Sequence, residues 1–170
     1  MKPAVYLETT VVSYLAAEGS GNPVTAMRQA VTRRWWEHER HKYDLFVSEA
    51  VENECRRGDP LQARRRLTLI EEATMLALNR SIMELAEKLV IPGGLPESAA
   101  ADAIHIAVAA AYQLDYLATW NIRHIANAQI RRITEGILEE NGYQLLEENG
   151  YQRPIICTPE ELFAVDALEG

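Results

Sequence analysis

Cysteine is nearly missing from this chain: Cys55 and Cys157 are its two thiols in 170 residues. Two such distant thiols make neither the disulfide framework of a small secreted domain nor a zinc set. Both therefore read as reduced, structural residues. Long apolar runs are missing too. None approaches the roughly 18 residues that a membrane span needs. The one apolar run near the N-terminus is interrupted by Glu8, which removes any signal-peptide pattern. A cytoplasmic location is the expectation. A surplus of basic charge is also absent, because 17 Lys and Arg stand against 25 Asp and Glu, for a net charge of −8. That argues against a protein that coats duplex DNA through bulk electrostatics, while leaving room for a local basic groove. It also leaves room for a carboxylate cluster that a divalent cation would neutralise.

What is present is an ordinary globular composition. The apolar share is 48%, and the length suits a single domain over residues 1–170. Residues 3–7 read as a short buried strand, followed by a helix from Thr9 to Ala17 capped by Thr9 or Thr10. A loop at Ser20–Pro23 leads to a helix reaching about His41, with Met27, Val31 and Trp35 at four-residue spacing. Tyr43–Ser48 reads as a second strand, with Ser48 as the cap of the next helix and Gly58 as its stop. A helix over Pro60–Ala73, a strand at Thr74–Leu78 and a helix over Ser81–Val90 follow. After the loop Pro92–Pro96 come an alanine-rich helix over Ser98–Tyr112 and a strand at Asp115–Thr119. A short helix, a long polar one and a last strand at Arg153–Cys157 complete the series. Thr158–Phe163 carries a capping box with proline at the first helical position. Strands alternating with helices imply a parallel sheet covered on both faces, whose sites form at strand C-terminal ends. The heptapeptide LEENGYQ occurs twice, at Leu138–Gln144 and Leu146–Gln152. It reads as a tandem duplication that lengthens a connection.

Against this apolar framework a few polar residues are out of place. Glu8 stands where the first strand hands over to a helix. In SAAADAIHIAVAAAY, Asp102 and His105 are the polar residues between Ala99 and Ala111. A helix this apolar is buried, and a buried aspartate is costly unless it is paired or binds a metal. His105 lies one turn on and reads first as a hydrogen-bonded core residue. Of the acids after Ser48, Glu54 shares the packed face with Ala50 and Val51, whereas Glu49 and Glu52 point elsewhere. Asn121 follows the strand at 115–119. Glu8, Glu54, Asp102 and Asn121 thus converge on one end of the sheet, as an oxygen-rich set suited to Mg²⁺ or Mn²⁺.

YLETTVVSYL, VSEAVENECRRG and ADAIHIAVAAAYQLDYLATWN, taken in that order, resemble the motifs of the PIN-domain nucleases, including the VapC-like toxins of toxin–antitoxin pairs. The resemblance covers most of the chain. It implies a three-layer α/β/α sandwich on a parallel sheet of about five strands. It implies a metal-dependent endoribonuclease, with Glu8, Glu54, Asp102 and Asn121 holding one or two Mg²⁺ or Mn²⁺ ions. Thr9, Thr10 and Arg123 would meet the RNA, with Arg56, Arg64, Arg65 and Arg66 as further contacts to its backbone. Trp120 reads as core packing first and a base-stacking surface second. A cognate antitoxin and a second copy of the chain are the protein partners implied. Two departures stand out: Glu8 replaces the family's usual aspartate, and Asn121 replaces a frequent second one. The first moves a carboxylate outward by roughly 1.5 Å, which matters to a cation that demands near-ideal geometry. The second weakens any second metal site. The pair defines a variant pattern, YLET…TWN. The alternative reading is a catalytically impaired PIN module that binds RNA or protein. A receiver-like or phosphatase-like domain is a third, disfavoured because those chemistries place an aspartate where Glu8 stands.

Overall fold

The structure is a computed structural model, and it describes residues 1–90, 95–144 and 151–163. Five short strands form one parallel sheet: β1 (Ala4–Leu7), β2 (Asp44–Ser48), β3 (Thr74–Leu76), β4 (Tyr116–Ala118) and β7 (Ile155–Cys157), in the order β3-β2-β1-β4-β7. Two two-residue strands, β5 (Tyr143–Gln144) and β6 (Tyr151–Gln152), pair separately. The α/β architecture expected from the alternation is therefore present, as is the strand count.

The central strands are apolar on both faces because both faces are covered. Val5, Tyr6, Leu7, Val47, Leu117, Ala118 and Ile156 are all buried. From β1 the chain steps through α1 (Thr9–Ala16) and α2 (Pro23–His38) to β2, then through α3 (Glu49–Cys55) and α4 (Pro60–Ile70) to β3. It then returns through α5 (Arg80–Leu89) and α6 (Ala100–Ala111) to β4, and through α7 (Ala128–Glu140) towards β7. Right-handed crossovers place helices reached in opposite directions on opposite faces. The packing agrees: α1 meets α2, α3 and α4, whereas α5 meets α6 and α7. The direction of winding reverses between β1 and β4, so their C-terminal ends flank the topological switch point.

Local signals explain most elements. Ile82, Leu85, Ala86 and Leu89 fall on one face of α5 and are buried. Asn79 caps that helix by accepting the amide of Ile82 at 3.0 Å. Asn22 and Asp59 cap α2 and α4, each with proline next. Thr158 and Glu161 form the expected capping box, over a 3₁₀ turn at Pro159–Leu162.

Several expectations need correction. The cap of α1 is Glu8, not Thr9 or Thr10. Ser48 precedes α3 but makes no cap bond, because its hydroxyl is engaged by Tyr6 at 2.7 Å. The second helix stops at His38 and gives way to a 3₁₀ turn at Arg40–Lys42. Met27 is exposed on it, and the buried face is Gln29, Thr32, Trp35 and Trp36. That face carries polar groups with interior duties: Thr32 accepts the indole N–H of Trp120 at 2.7 Å. Residues 122–125 form a turn rather than a short helix. The first LEENGYQ leaves the helix at Asn141–Gly142, where Gly142 adopts φ +91° and ends α7. Residues 92–94 of the glycine-rich loop and 146–150 of the second copy lie outside the described residues.

Candidate active site at the sheet switch point

Glu8 leaves β1 in an extended conformation and caps α1. Its carboxylate is buried, so it needs partners. Oε2 accepts from the Thr10 amide at 3.1 Å, from the Thr10 hydroxyl, and from the Thr119 hydroxyl at 2.8 Å. The first two bonds are local. The third crosses from the end of β1 to the end of β4, and the glutamate's extra methylene supplies that reach. Both threonine hydroxyls are used twice: Thr10 also accepts the Trp120 amide at 2.8 Å, and Thr119 also accepts the Asn121 amide at 2.9 Å. The carboxylate therefore fixes the loop that carries Trp120 and Asn121.

Glu54 projects from α3 into the same region. Its Oε2 accepts from the Thr9 hydroxyl and lies 3.3 Å from His105 Nε2. Burial pushes the Glu54 carboxyl up, but the hydrogen bond and charge of His105, with help from Thr9 and Arg57, bring it below its ordinary value. His105 is fully buried on α6, and burial disfavours its charge. The Glu54 hydrogen bond and the charges of Glu8, Glu54 and Asp102 outweigh that and raise its pKa. The two shifts are mutually consistent: each group favours the charged form of the other. The far ring nitrogen, Nδ1, lies 2.8 Å from the Tyr6 hydroxyl. Burial keeps that phenol protonated far above its ordinary range. Ser48 gives up a cap worth about 1 kcal/mol to complete this chain.

Asp102 sits in the first turn of α6. Its Oδ1 accepts from the Asn121 side-chain amide at 2.8 Å, and its Oδ2 is 3.8 Å from His124 Nδ1. Burial and the charge of Glu8 raise its pKa, against the weaker pull of His105, His124 and Asn121. Asn121 turns its other atom, Oδ1, to the His124 amide at 3.2 Å. Both ends of the Asn121 side chain are thus engaged with protein.

The sequence-predicted residues therefore share one end of the sheet. Ligand atoms of Glu8, Glu54 and His105 lie within 4.8 Å of one another. Among the described residues, Glu8 Oε1 and Glu54 Oε1 accept no hydrogen bond, and Asp102 Oδ2 has only the loose approach of His124. Each carboxylate is thus held by one oxygen and offers the other. Oxygen donors of this kind suit a hard divalent cation, although Asp102 lies outside the group of Glu8, Glu54 and His105 whose ligand atoms gather within 4.8 Å and joins it through Asn121 and Thr119. Thr9 and Thr10 point their hydroxyls at Glu54 and Glu8. Arg123 is exposed in the turn beside Asn121. Of the other arginines, Arg66 donates to the carbonyls of Cys55 and Arg57, Arg65 pairs with Glu18, and Arg56 pairs with Glu52. Trp120 is core, buried with Arg28 over its ring.

Sequence reasoning ranks His105 as a core residue and His124 as solvated surface, and it does not single out Tyr6, Thr119 or Arg57. The helical spacing of His105 to Asp102 was the available signal. Its link to Glu54 is visible only in three dimensions.

No family model matches the chain, and no curated protein matches it. Among solved structures, Mycobacterium tuberculosis VapC20, described as a sarcin–ricin loop cleaving toxin, matches with a TM-score of 0.57 at 15% identity. The match covers 71% of this chain and 92% of that one. At that identity the likeness establishes a shared fold.

Proposed function

We propose that this chain is a metal-dependent endoribonuclease of the PIN, VapC-like kind, hydrolysing RNA phosphodiester bonds as the toxin of a toxin–antitoxin pair in the cytoplasm. The observation that carries the reading is the gathering of Glu8, Glu54 and His105 ligand atoms within 4.8 Å at the switch point, with both carboxylates anchored through one oxygen and open at the other, and Asp102 joined to them through Asn121 and Thr119. The fold shared with a sarcin–ricin loop cleaving toxin supports it. Glu8, Glu54 and Asp102 would hold Mg²⁺ or Mn²⁺, and Asn121 acts on that site through Asp102. When bound, such a cation supplies a Lewis acid for a phosphoryl oxygen and lowers the pKa of a water. The protein's part is to keep the carboxylates apart and aimed. Thr10 and Thr119 fix Glu8, Thr9 and His105 fix Glu54, and Asn121 fixes Asp102. Arg57, whose charge reaches Glu54, and Arg123, exposed in the turn after Asn121, would meet RNA phosphates. A cognate antitoxin and a second copy of the chain are the protein partners this reading implies.

The test is cleavage of a panel of structured and unstructured RNAs with Mn²⁺ or Mg²⁺. Cleavage is expected with metal and absent with chelator. Asp102→Asn is expected to lower the rate by about 100-fold or more, within the range that removal of a catalytic group produces. Intact RNA with either metal, together with RNA binding that survives Asp102→Asn, would identify a non-catalytic binding module instead.

A further inference from the structure

We infer that His105 is a positioning residue for the proposed cation site. With Tyr6 and Ser48 it forms a buried relay that aims the Glu54 carboxylate, and it does not itself supply a ligand nitrogen. The inference rests on the cation reading above.

Proximity alone would suggest the opposite, because His105 lies within ligand range of Glu8 and Glu54. The ring's surroundings decide the matter. It is 1% exposed, and each nitrogen already faces a protein partner: Nδ1 the Tyr6 hydroxyl at 2.8 Å, Nε2 the Glu54 carboxylate at 3.3 Å. Because the ring is rigid, turning Nε2 towards a cation would pull Nδ1 from Tyr6. Tyr6 is in turn held by Ser48 at 2.7 Å. Ser48 lies at the start of the helix that bears Glu54, yet makes no cap bond there. The contacts Ser48–Tyr6–His105–Glu54 therefore leave the end of β2, cross β1 and α6, and reach α3 six positions after Ser48. They brace Glu54 against two other elements. With Thr9 they occupy Oε2 and leave Oε1 as the oxygen presented to the site. Groups that orient a metal-binding side chain in this way typically contribute 10–100-fold to metal affinity.

The experiment is Mn²⁺ binding by calorimetry, with no RNA present, for wild type, His105→Asn, His105→Gln and Tyr6→Phe. Pulsed electron paramagnetic resonance on the Mn²⁺ complexes accompanies it. Glutamine places its amide nitrogen where Nε2 sits, whereas asparagine places it where Nδ1 sits. Affinity is expected to fall roughly 10–100-fold in His105→Asn and several-fold in Tyr6→Phe, with His105→Gln retaining most of it. No histidine nitrogen coupling is expected in the wild-type spectrum. A nitrogen coupling that His105→Gln abolishes would make His105 a ligand and overturn the inference. Wild-type affinity in Tyr6→Phe would overturn it as well, and that variant keeps the test intact if His105→Asn does not fold. A wild type that binds no Mn²⁺ overturns the cation reading and this inference together. Equal binding by wild type and all variants overturns the inference alone.

Discussion

Glu54 and Asp102 each stand near a histidine at the same end of the sheet, yet their acidities move in opposite directions. Depth does not separate them, since their side chains are 23% and 17% exposed. Donors do. Glu54 accepts from Thr9 and from a histidine at 3.3 Å. Asp102 accepts from one neutral amide, has its histidine at 3.8 Å, and feels the charge of Glu8. One half of the site is thus internally compensated. The other half carries uncompensated negative charge, which is where a cation gains most.

The bond that spans both halves is that of Thr119, which donates to Glu8 and accepts from Asn121. Thr119→Val removes both at once, leaving the half-buried Asn121 amide without this partner and the buried Glu8 carboxylate with only its Thr10 donors. The expected loss is about 2–3 kcal/mol, or roughly 5–10 °C in melting temperature for a domain of this size. A melt within about 1 °C of wild type would show that the halves are not joined there.

Asn121→Asp makes the open half more negative and deletes the amide that holds Asp102. Metal-free stability near neutral pH should fall by about 1–2 kcal/mol, and Mn²⁺ affinity should rise. Denaturant titration with and without Mn²⁺ measures both, and weaker Mn²⁺ binding by this variant would contradict the charge argument.

The smallest effect expected is on pH dependence. His105 has a raised folded pKa, so its contribution is complete below its unfolded value of 6.5 and is lost as pH rises through the raised one. Glu54 has a lowered folded pKa, so its contribution is present above its unfolded value of 4.5 and is lost as pH falls through the lowered one. Asp102 works the other way, since its raised pKa opposes folding once it ionises. Metal-free protein in chelator should therefore show an alkaline decline set by His105, which His105→Gln removes. An identical decline in that variant would assign it elsewhere.

The acids were legible because a charge inside an apolar stretch is a local anomaly. Glu8 breaks a strand run, Asp102 breaks an alanine helix, and helical spacing singles out Glu54. The parallel sheet was legible from the alternation of elements. What stayed hidden depends on contacts between residues far apart in sequence. Tyr6 and His105 are 99 positions apart, and Thr119 and Glu8 are 111 apart. Ser48 shows the competition directly: the local rule makes it a helix cap, and a distant phenol takes its hydroxyl instead. Met27 failed for a related reason. Apolar spacing marked it as core, but α2 turns inward the face bearing Thr32, whose hydroxyl the indole of Trp120 requires.

The repeated heptapeptide has a consequence for how such a chain can lengthen. Tyr143 pairs with Tyr151 and Gln144 with Gln152, in parallel, so each copy's last two residues lie beside the same residues of the other. The offset between the copies is the register of the pairing. An inserted segment normally adds backbone groups that must find partners; here the partner is the segment's own twin. The pair β5–β6 therefore takes no edge of the five-stranded sheet, whose order β3-β2-β1-β4-β7 keeps β1 beside β4.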